Sequence, residues 1–364
     1  MNPSDFSLRR EERVLFKLRD LYRLSGYAQY KMGKFEEYDL YARNKDFLVS
    51  DGIITFTDTD GRLMALKPDV TLSIIKNTRD QEDCVQKVYY SENVYRISGS
   101  TRQFKELMQT GLECIGDVDM VHLCEVISLA ARSLDAIHPA NVLELSHMGV
   151  VSALVSALEL DSDVEKAVLR CIGEKNADGI RALCPGRDVS AVLKLVSAHG
   201  APGDVIEALR PHCRQGLAKA ALDELKTVTD NLRRLGHDTI QVDFSIVNDM
   251  NYYNGIVFMG YIEGIPSGVL SGGQYDKLMQ RMGRRARAVG FAIYMDLLER
   301  LDGEKDPYDV DTLLIYPENA DVTAVSRAIR AIADAGRSVT AQRAIPEKLK
   351  YRHLVRFEEV APHA

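Results

Sequence analysis

The apolar positions of residues 11–25 fall at Val14, Leu15, Leu18 and Leu21, the repeat of one helical face, and Gly26 follows as a stop. Two β-rich runs, residues 53–57 and 62–66, flank Asp58-Thr59-Asp60-Gly61 and predict a hairpin. A helix is expected to open near Asp69, just after Pro68. Residues 87–97 and 107–115 predict a second antiparallel pair, joined by a polar loop holding Ser98-Gly99-Ser100. From Val150 to Gly236 the texture turns Ala/Leu-rich and repeatedly helical. β-branched alternation returns at 240–246, continues through 255–261 and closes at 289–293. A helical block therefore interrupts one antiparallel β-rich domain, which predicts an α+β fold with an inserted helical subdomain. After Gly303-Glu304-Lys305-Asp306-Pro307, residues 310–316, 320–335 and 338–342 read as strand, helix and strand. The expected boundaries are 1–148 with 238–302 for the core, 149–237 for the insertion and 307–364 for a truncated α/β unit.

Composition narrows the class of protein. At roughly 100–200 residues per domain, 364 residues predict two or three domains. A hydrophobic content of 46% excludes a disordered chain. The net charge of −7 argues against nucleic-acid binding driven by bulk charge, because neutralising phosphates requires an excess of Lys and Arg. The basic run Arg281, Arg284, Arg285 and Arg287 reads as a solvated turn rather than a phosphate patch. Six Cys without Cys-x-x-Cys spacing predict reduced thiols, not a zinc site. No stretch reaches the ~18 apolar residues of a membrane helix and the N-terminus lacks an apolar signal core, so a cytoplasmic protein is expected. None of the eight His has triad or metal spacing; His147 and His199 read as ordinary surface or core residues, and neither metal nor cofactor is expected.

Three clusters carry candidate chemistry. Lys67-Pro68-Asp69-Val70-Thr71 lies where a strand meets a helix and, alone, reads as a helix cap. Arg96 lies on one strand, and Gln109, Gly111 and Glu113 alternate on the next, so the last three share one face. Such a polar face is ordinarily just solvated. Asn251-Tyr252-Tyr253-Asn254-Gly255 and Ser271-Gly272-Gly273-Gln274-Tyr275-Asp276 read singly as turns with Tyr packing across strands. Together the clusters suit a zwitterionic amino acid: Arg for the carboxylate, acid and amide for the ammonium, Tyr and Glu for a polar ring.

In this order the segments resemble the catalytic core of histidyl-tRNA synthetase, over roughly residues 8–302. Ala65–Thr71 resembles the family's "LRPD/E-x-T" segment, Val94-Tyr95-Arg96 its motif 2 Arg, and Gln109–Glu113 its "Q-x-G-x-E". Asn251–Phe258 resembles the histidine-specific "DYYTGTVFE", Ser271–Asp276 resembles "GGRYD", and Gly290–Ile293 opens motif 3. The resemblance implies a class II synthetase-like antiparallel sheet of six strands flanked by helices. It implies a histidine site in which Asp69, Gln109 and Thr71 hold the ammonium and Arg96 pairs with the carboxylate. Glu113 and Tyr253 would meet the imidazole or ammonium, with Tyr252 packed beside them.

The departures from that pattern lie on the ATP side. Asn248 stands where the synthetase has an Arg that stabilises charge during adenylate formation, and Leu297 where motif 3 has the Arg that holds ATP phosphates. Ser98 replaces an acidic residue and Met32 the motif 1 Pro. Removing one donor aimed at developing charge costs ~10²–10³ in rate. Leu cannot donate a hydrogen bond, and Asn cannot carry the charge. This combination resembles the synthetase-like regulatory subunits of ATP phosphoribosyltransferase. That resemblance implies a non-catalytic role, a short-form catalytic subunit as partner, a homodimer within a hetero-octamer, L-histidine as feedback ligand and no grip on tRNA. A histidine-activating synthetase or ligase and a free-standing sensor are the alternatives.

Overall fold

The computed structural model describes residues 10–45, 52–79, 84–98, 101–247, 252–301 and 307–357. Asn248, Asn251, the Gly99-Ser100 pair and residues 303–306 lie outside them. Two compact units are present, residues 10–301 and the C-terminal segment.

The first unit opens with α1 (Arg10–Leu24), which ends at Gly26 with φ +85°, a conformation that only Gly adopts without strain. Next come β1 (Ala28–Gln29), β2 (Phe35–Glu37), α2 (Tyr38–Arg43), β3 (Thr55–Thr57), β4 (Leu63–Leu66) and α3 (Thr71–Asn77). The β5 (Val85–Ile97) and β6 (Phe104–Gly116) strands form the long hairpin, followed by α4 (Met120–Ile137) and β7 (Asn141–His147). The helical block comprises α5 (Met148–Ser156), α6 (Ser162–Gly173), α7 (Ala177–Leu183), α8 (Ser190–Ser197), the two-residue β8 (His199–Gly200), α9 (Pro202–Leu209) and α10 (Gly216–Arg234). The chain returns through β9 (Gln241–Asp243), β10 (Ile256–Ile262), β11 (Leu270–Gln274), α11 (Asp276–Arg281) and β12 (Arg287–Tyr294) to a 3-10 turn over Met295–Leu301.

Among the described residues nine strands make the main sheet, in the order β1-β5-β6-β12-β11-β10-β7-β9-β8. The six from β5 to β7 are joined by antiparallel ladders, as the resemblance implies. The flanking strands differ from a purely antiparallel expectation: β1 pairs parallel to β5, and β9 parallel to β7. The strand expected over 240–246 stops at Asp243, whose carboxylate accepts from Ser245 N at 2.8 Å and turns the chain.

The register sorts the sheet into two faces. Tyr89, Leu112, Phe291, Phe258, Leu145 and Val242 lie on one row across neighbouring strands, and all are buried. They share a core with α1, α4 and the helices of the block. Burying each such side chain contributes about 1.5–3 kcal/mol. Tyr22 of α1 stacks edge-on over Phe291, its hydroxyl 3.0 Å from Ser133 Oγ on α4. The block is also pinned by His147, whose Nδ1 accepts from Gly149 N at 3.0 Å while Nε2 lies 3.3 Å from Glu224 on α10. This buried His caps α5; His199 is exposed. The opposite face of the sheet has a smaller core, built with α2, α3 and the β2-β4-β3 sheet.

The second unit contains β13 (Val310–Ile315), α12 (Val322–Asp334), β14 (Val339–Gln342) and β15 (Tyr351–Arg356). Its sheet runs β14-β13-β15, all parallel, with Val325 and Ala328 of α12 buried against Leu314. The third strand adds to the βαβ unit expected from sequence.

Candidate functional site

The site begins at the turn from β4 into α3. Asp69 Oδ1 accepts from Leu72 N at 2.8 Å, which supplies an N-terminal partner to the helix and fixes the carboxylate. Just before it, the fully buried Lys67 reaches Glu92 Oε2 at 2.9 Å, tying the turn to β5. Arg96 Nε donates to Pro68 O at 3.1 Å, so the motif 2 Arg is held against the same turn. At the far end of α3, Arg284 donates to the carbonyls of Ile75 and Thr78 at 2.8 and 2.9 Å. Arg287 donates to Val118 O at 2.9 Å. The expectation of a merely solvated basic turn is thus corrected for these two: helix-end and loop carbonyls take them as donors.

Opposite the turn, Glu113 projects from β6. Its Oε1 accepts from Thr71 Oγ1 at 2.7 Å and its Oε2 from Tyr275 OH at 2.6 Å. Room for this carboxyl exists only because its register partner on β12 is Gly290: a Cβ there would lie 1.8 Å from Glu113 Oε2. Gly273, next across the sheet, does the same for Tyr253, whose Cδ1 would be 2.7 Å from an added Cβ. The Tyr252 and Tyr253 rings meet edge-on with centroids 4.8 Å apart, and Tyr252 lies 5.9 Å from Tyr275.

Asp69, Thr71, Arg96, Gln109, Glu113, Tyr252 and Tyr253 all line one cavity. All seven residues singled out in the sequence therefore come together. Ser271, Tyr275, Gly290 and Ala292, from segments noted in the sequence but given no contact there, line it too, as do Tyr90 and Tyr294, which were not among the candidates. The signal for Tyr90 was available, since it alternates with Glu92 and Arg96 and pairs with Gly111. Tyr275 depends on the β11–β12 register, which sequence spacing does not reveal.

Burial dominates the electrostatics. It pushes the Glu113 carboxyl up to about 8, against the two hydroxyls that donate to it, and the nearby Asp69 charge adds to the rise. Burial also raises Asp69, opposed by the Leu72 N–H and the Arg96 charge. The hydroxyls of Tyr90, Tyr252 and Tyr275 are held well above their ordinary range by the same cause. A carboxyl raised to about 8 is mostly protonated at neutral pH.

The ATP-side departures are distributed differently. Leu297 packs, half-buried, against the large core. Met32 packs against the smaller one, and Ser98 opens the β5–β6 turn, its N–H donating to Gln103 O at 2.8 Å. Among the described residues, no group of three His, Cys, Asp or Glu could hold a metal ion, and no helix is long and apolar enough to cross a membrane.

Residues 2–298 match the model of the family described as Histidyl-tRNA synthetase. The chain belongs to that family. Within it, the chain is 27% identical over 323 residues to an ATP phosphoribosyltransferase regulatory subunit from Bacillus mycoides, a match spanning 85% of this chain and 77% of the relative. The fold is shared with an ATP phosphoribosyltransferase regulatory subunit/histidyl-tRNA synthetase from Bacillus halodurans: TM-score 0.77, 24% identity, 95% of this chain and 93% of that one. It is shared also with a chain of the ATP phosphoribosyl transferase (HisG:HisZ) complex from Thermotoga maritima, at TM-score 0.62 and 20% identity over 77% of this chain and 96% of that one. Family membership alone leaves catalysis and regulation both open.

Proposed function

We propose that this chain is the regulatory subunit of an ATP phosphoribosyltransferase, acting in the cytoplasm on a short-form catalytic subunit. In this reading L-histidine occupies the cavity as feedback ligand. Arg96 takes its carboxylate, Asp69, Gln109 and Thr71 its ammonium, and Glu113 with Tyr253 its imidazole or ammonium, beside Tyr252. A buried zwitterion must exchange strong hydration for charge-assisted hydrogen bonds, and this residue set supplies them at both ends.

One observation supports the reading: the seven residues that the resemblance assigns to the amino acid line one cavity, while Leu297, which the resemblance aligns with the motif 3 Arg, packs against the core. The names borne by the Bacillus relative and the Thermotoga complex support the choice of partner. Histidine can inhibit only by binding the inhibited assembly better than the active one, and useful feedback needs a coupling of about 1–3 kcal/mol. The assembly is proposed to be a homodimeric core within a hetero-octamer. Co-expression with a short-form ATP phosphoribosyltransferase tests the partnership: co-purification at constant stoichiometry is expected. Failure to co-purify, together with histidine-dependent ATP–pyrophosphate exchange by this chain alone, would return it to the synthetases.

A further inference from the structure

We infer that Glu113 and the side-chain ring of the bound amino acid together carry no net charge, with one dissociable proton held between them. The inference rests on the amino-acid reading above and adds a protonation state to it. Of the described residues lining the cavity, three have ordinarily charged side chains: Asp69, Arg96 and Glu113. That is two carboxyls for one guanidinium. Arg96 Nε donates to Pro68 O, one residue before Asp69, so a cation and a carboxylate stand together at the turn into α3. A zwitterion carries its ammonium and carboxylate on one carbon, and this turn matches both charges. Glu113 is then left to meet the side chain.

Glu113 is 2% exposed, and among the described residues its partners are two neutral hydroxyls, Thr71 Oγ1 on α3 and Tyr275 OH just past β11. Besides Arg96, the other titratable groups lining the cavity are Asp69, which has the same sign, and the phenols of Tyr90, Tyr252, Tyr253 and Tyr294. Gly290, the register partner on β12, brings no side chain. A bare carboxylate in this setting is a buried charge without a counterion, which is strongly disfavoured. Burial accordingly raises the carboxyl to about 8. An imidazole beside Glu113 either accepts that proton or leaves it in place, and the pair is neutral in both cases. A bare carboxylate beside a neutral ring, or a protonated carboxyl beside an imidazolium, leaves one charge unmatched. The ring of free histidine gains its extra proton below about pH 6.5, and Glu113 loses its own above about pH 8. Between these values ring and carboxyl bring one such proton in total, which is the number the pair keeps. Below pH ~6.5 they bring two and one must leave, so affinity falls by up to about tenfold per pH unit. Above pH 8 they bring none and one must be taken up, so affinity falls again.

Calorimetry of histidine binding to the full-length chain between pH 5.5 and pH 8.5, in buffers of different ionisation enthalpy, tests this. At pH 7.2 net proton exchange is expected to be close to zero, and affinity at pH 5.5 to be about tenfold below its pH 7.2 value. The isostere 1,2,4-triazole-3-alanine, whose ring stays unprotonated over this range, should bind equally well at the two pH values. Glu113→Gln should flatten the fall in histidine affinity between pH 7.2 and pH 8.5 and keep the fall at pH 5.5. Release of about one proton at pH 7.2, with affinity rising towards pH 8, would show a bare carboxylate and overturn the inference. Uptake of about one proton at pH 7.2, with affinity rising towards pH 5.5, would overturn it equally. Should the chain bind histidine at none of these pH values, the amino-acid reading falls and the shared proton with it.

Discussion

Glu113→Gln is the substitution whose effect can be worked furthest from the structure. Gln keeps the size and planarity of the side chain and can still meet Thr71 and Tyr275, but it cannot ionise. In the folded wild type the Glu113 carboxyl titrates near 8, against an ordinary value of 4.5. Between these pH values the folded state holds a proton that the unfolded state has released. The contribution to stability is therefore complete below pH 4.5 and declines as pH rises towards 8. At about 1.4 kcal/mol per pKa unit, the decline from pH 5 to pH 8 is on the order of 3 kcal/mol. Chemical denaturation of both proteins at pH 5, 6, 7 and 8 isolates the effect, because other titrating groups cancel in the difference. Wild type should lose stability relative to Glu113→Gln across this window. Parallel pH profiles, or a wild type that gains on the variant as pH rises, would refute the buried, protonated Glu113.

Other expectations follow from neighbouring contacts. Arg96→Ala should weaken histidine binding roughly 10- to 100-fold by calorimetry, the loss expected for a hydrogen bond to a charged group. Gly290→Ala drives a methyl into the Glu113 carboxyl and should lower stability by about 1–3 kcal/mol in denaturant while abolishing histidine binding. Lys67→Met leaves Glu92 without its buried partner and should cost about 3 kcal/mol, read from the urea midpoint.

Much of the site was legible because strand alternation is strict. With Gln109, Gly111 and Glu113 two apart on one strand, their common face follows from the pleat, and the β5–β6 ladder brings Arg96 to that face. The turn at Asp69 was legible as a cap because that is one of its roles. What escaped the sequence was set by pairings between distant segments. Tyr275 meets Glu113 across 162 residues of chain, and no local pattern encodes that approach. β2, with Phe35-Glu36-Glu37, is short and mostly charged, and β15 begins Tyr-Arg-His, so neither shows the apolar alternation that marks a strand. The parallel pairing of β1 and β9 was hidden for the same reason: strands of two and three residues carry too little pattern to predict direction. Asn248, one of the two Arg replacements on which the sequence argument turned, lies outside the described residues; of Leu297, the other, the structure shows its packing against the core.

The central claim is that this synthetase relative regulates another enzyme through a histidine site. Its most direct test is the initial rate of phosphoribosyl transfer to ATP by a purified short-form catalytic subunit, titrated with this chain in the presence and absence of histidine. The account predicts that the chain raises the rate to saturation, that histidine suppresses the raised rate, and that Arg96→Ala still activates but resists histidine. A rate indifferent to the chain, or activation with the same histidine response in wild type and Arg96→Ala, would contradict it.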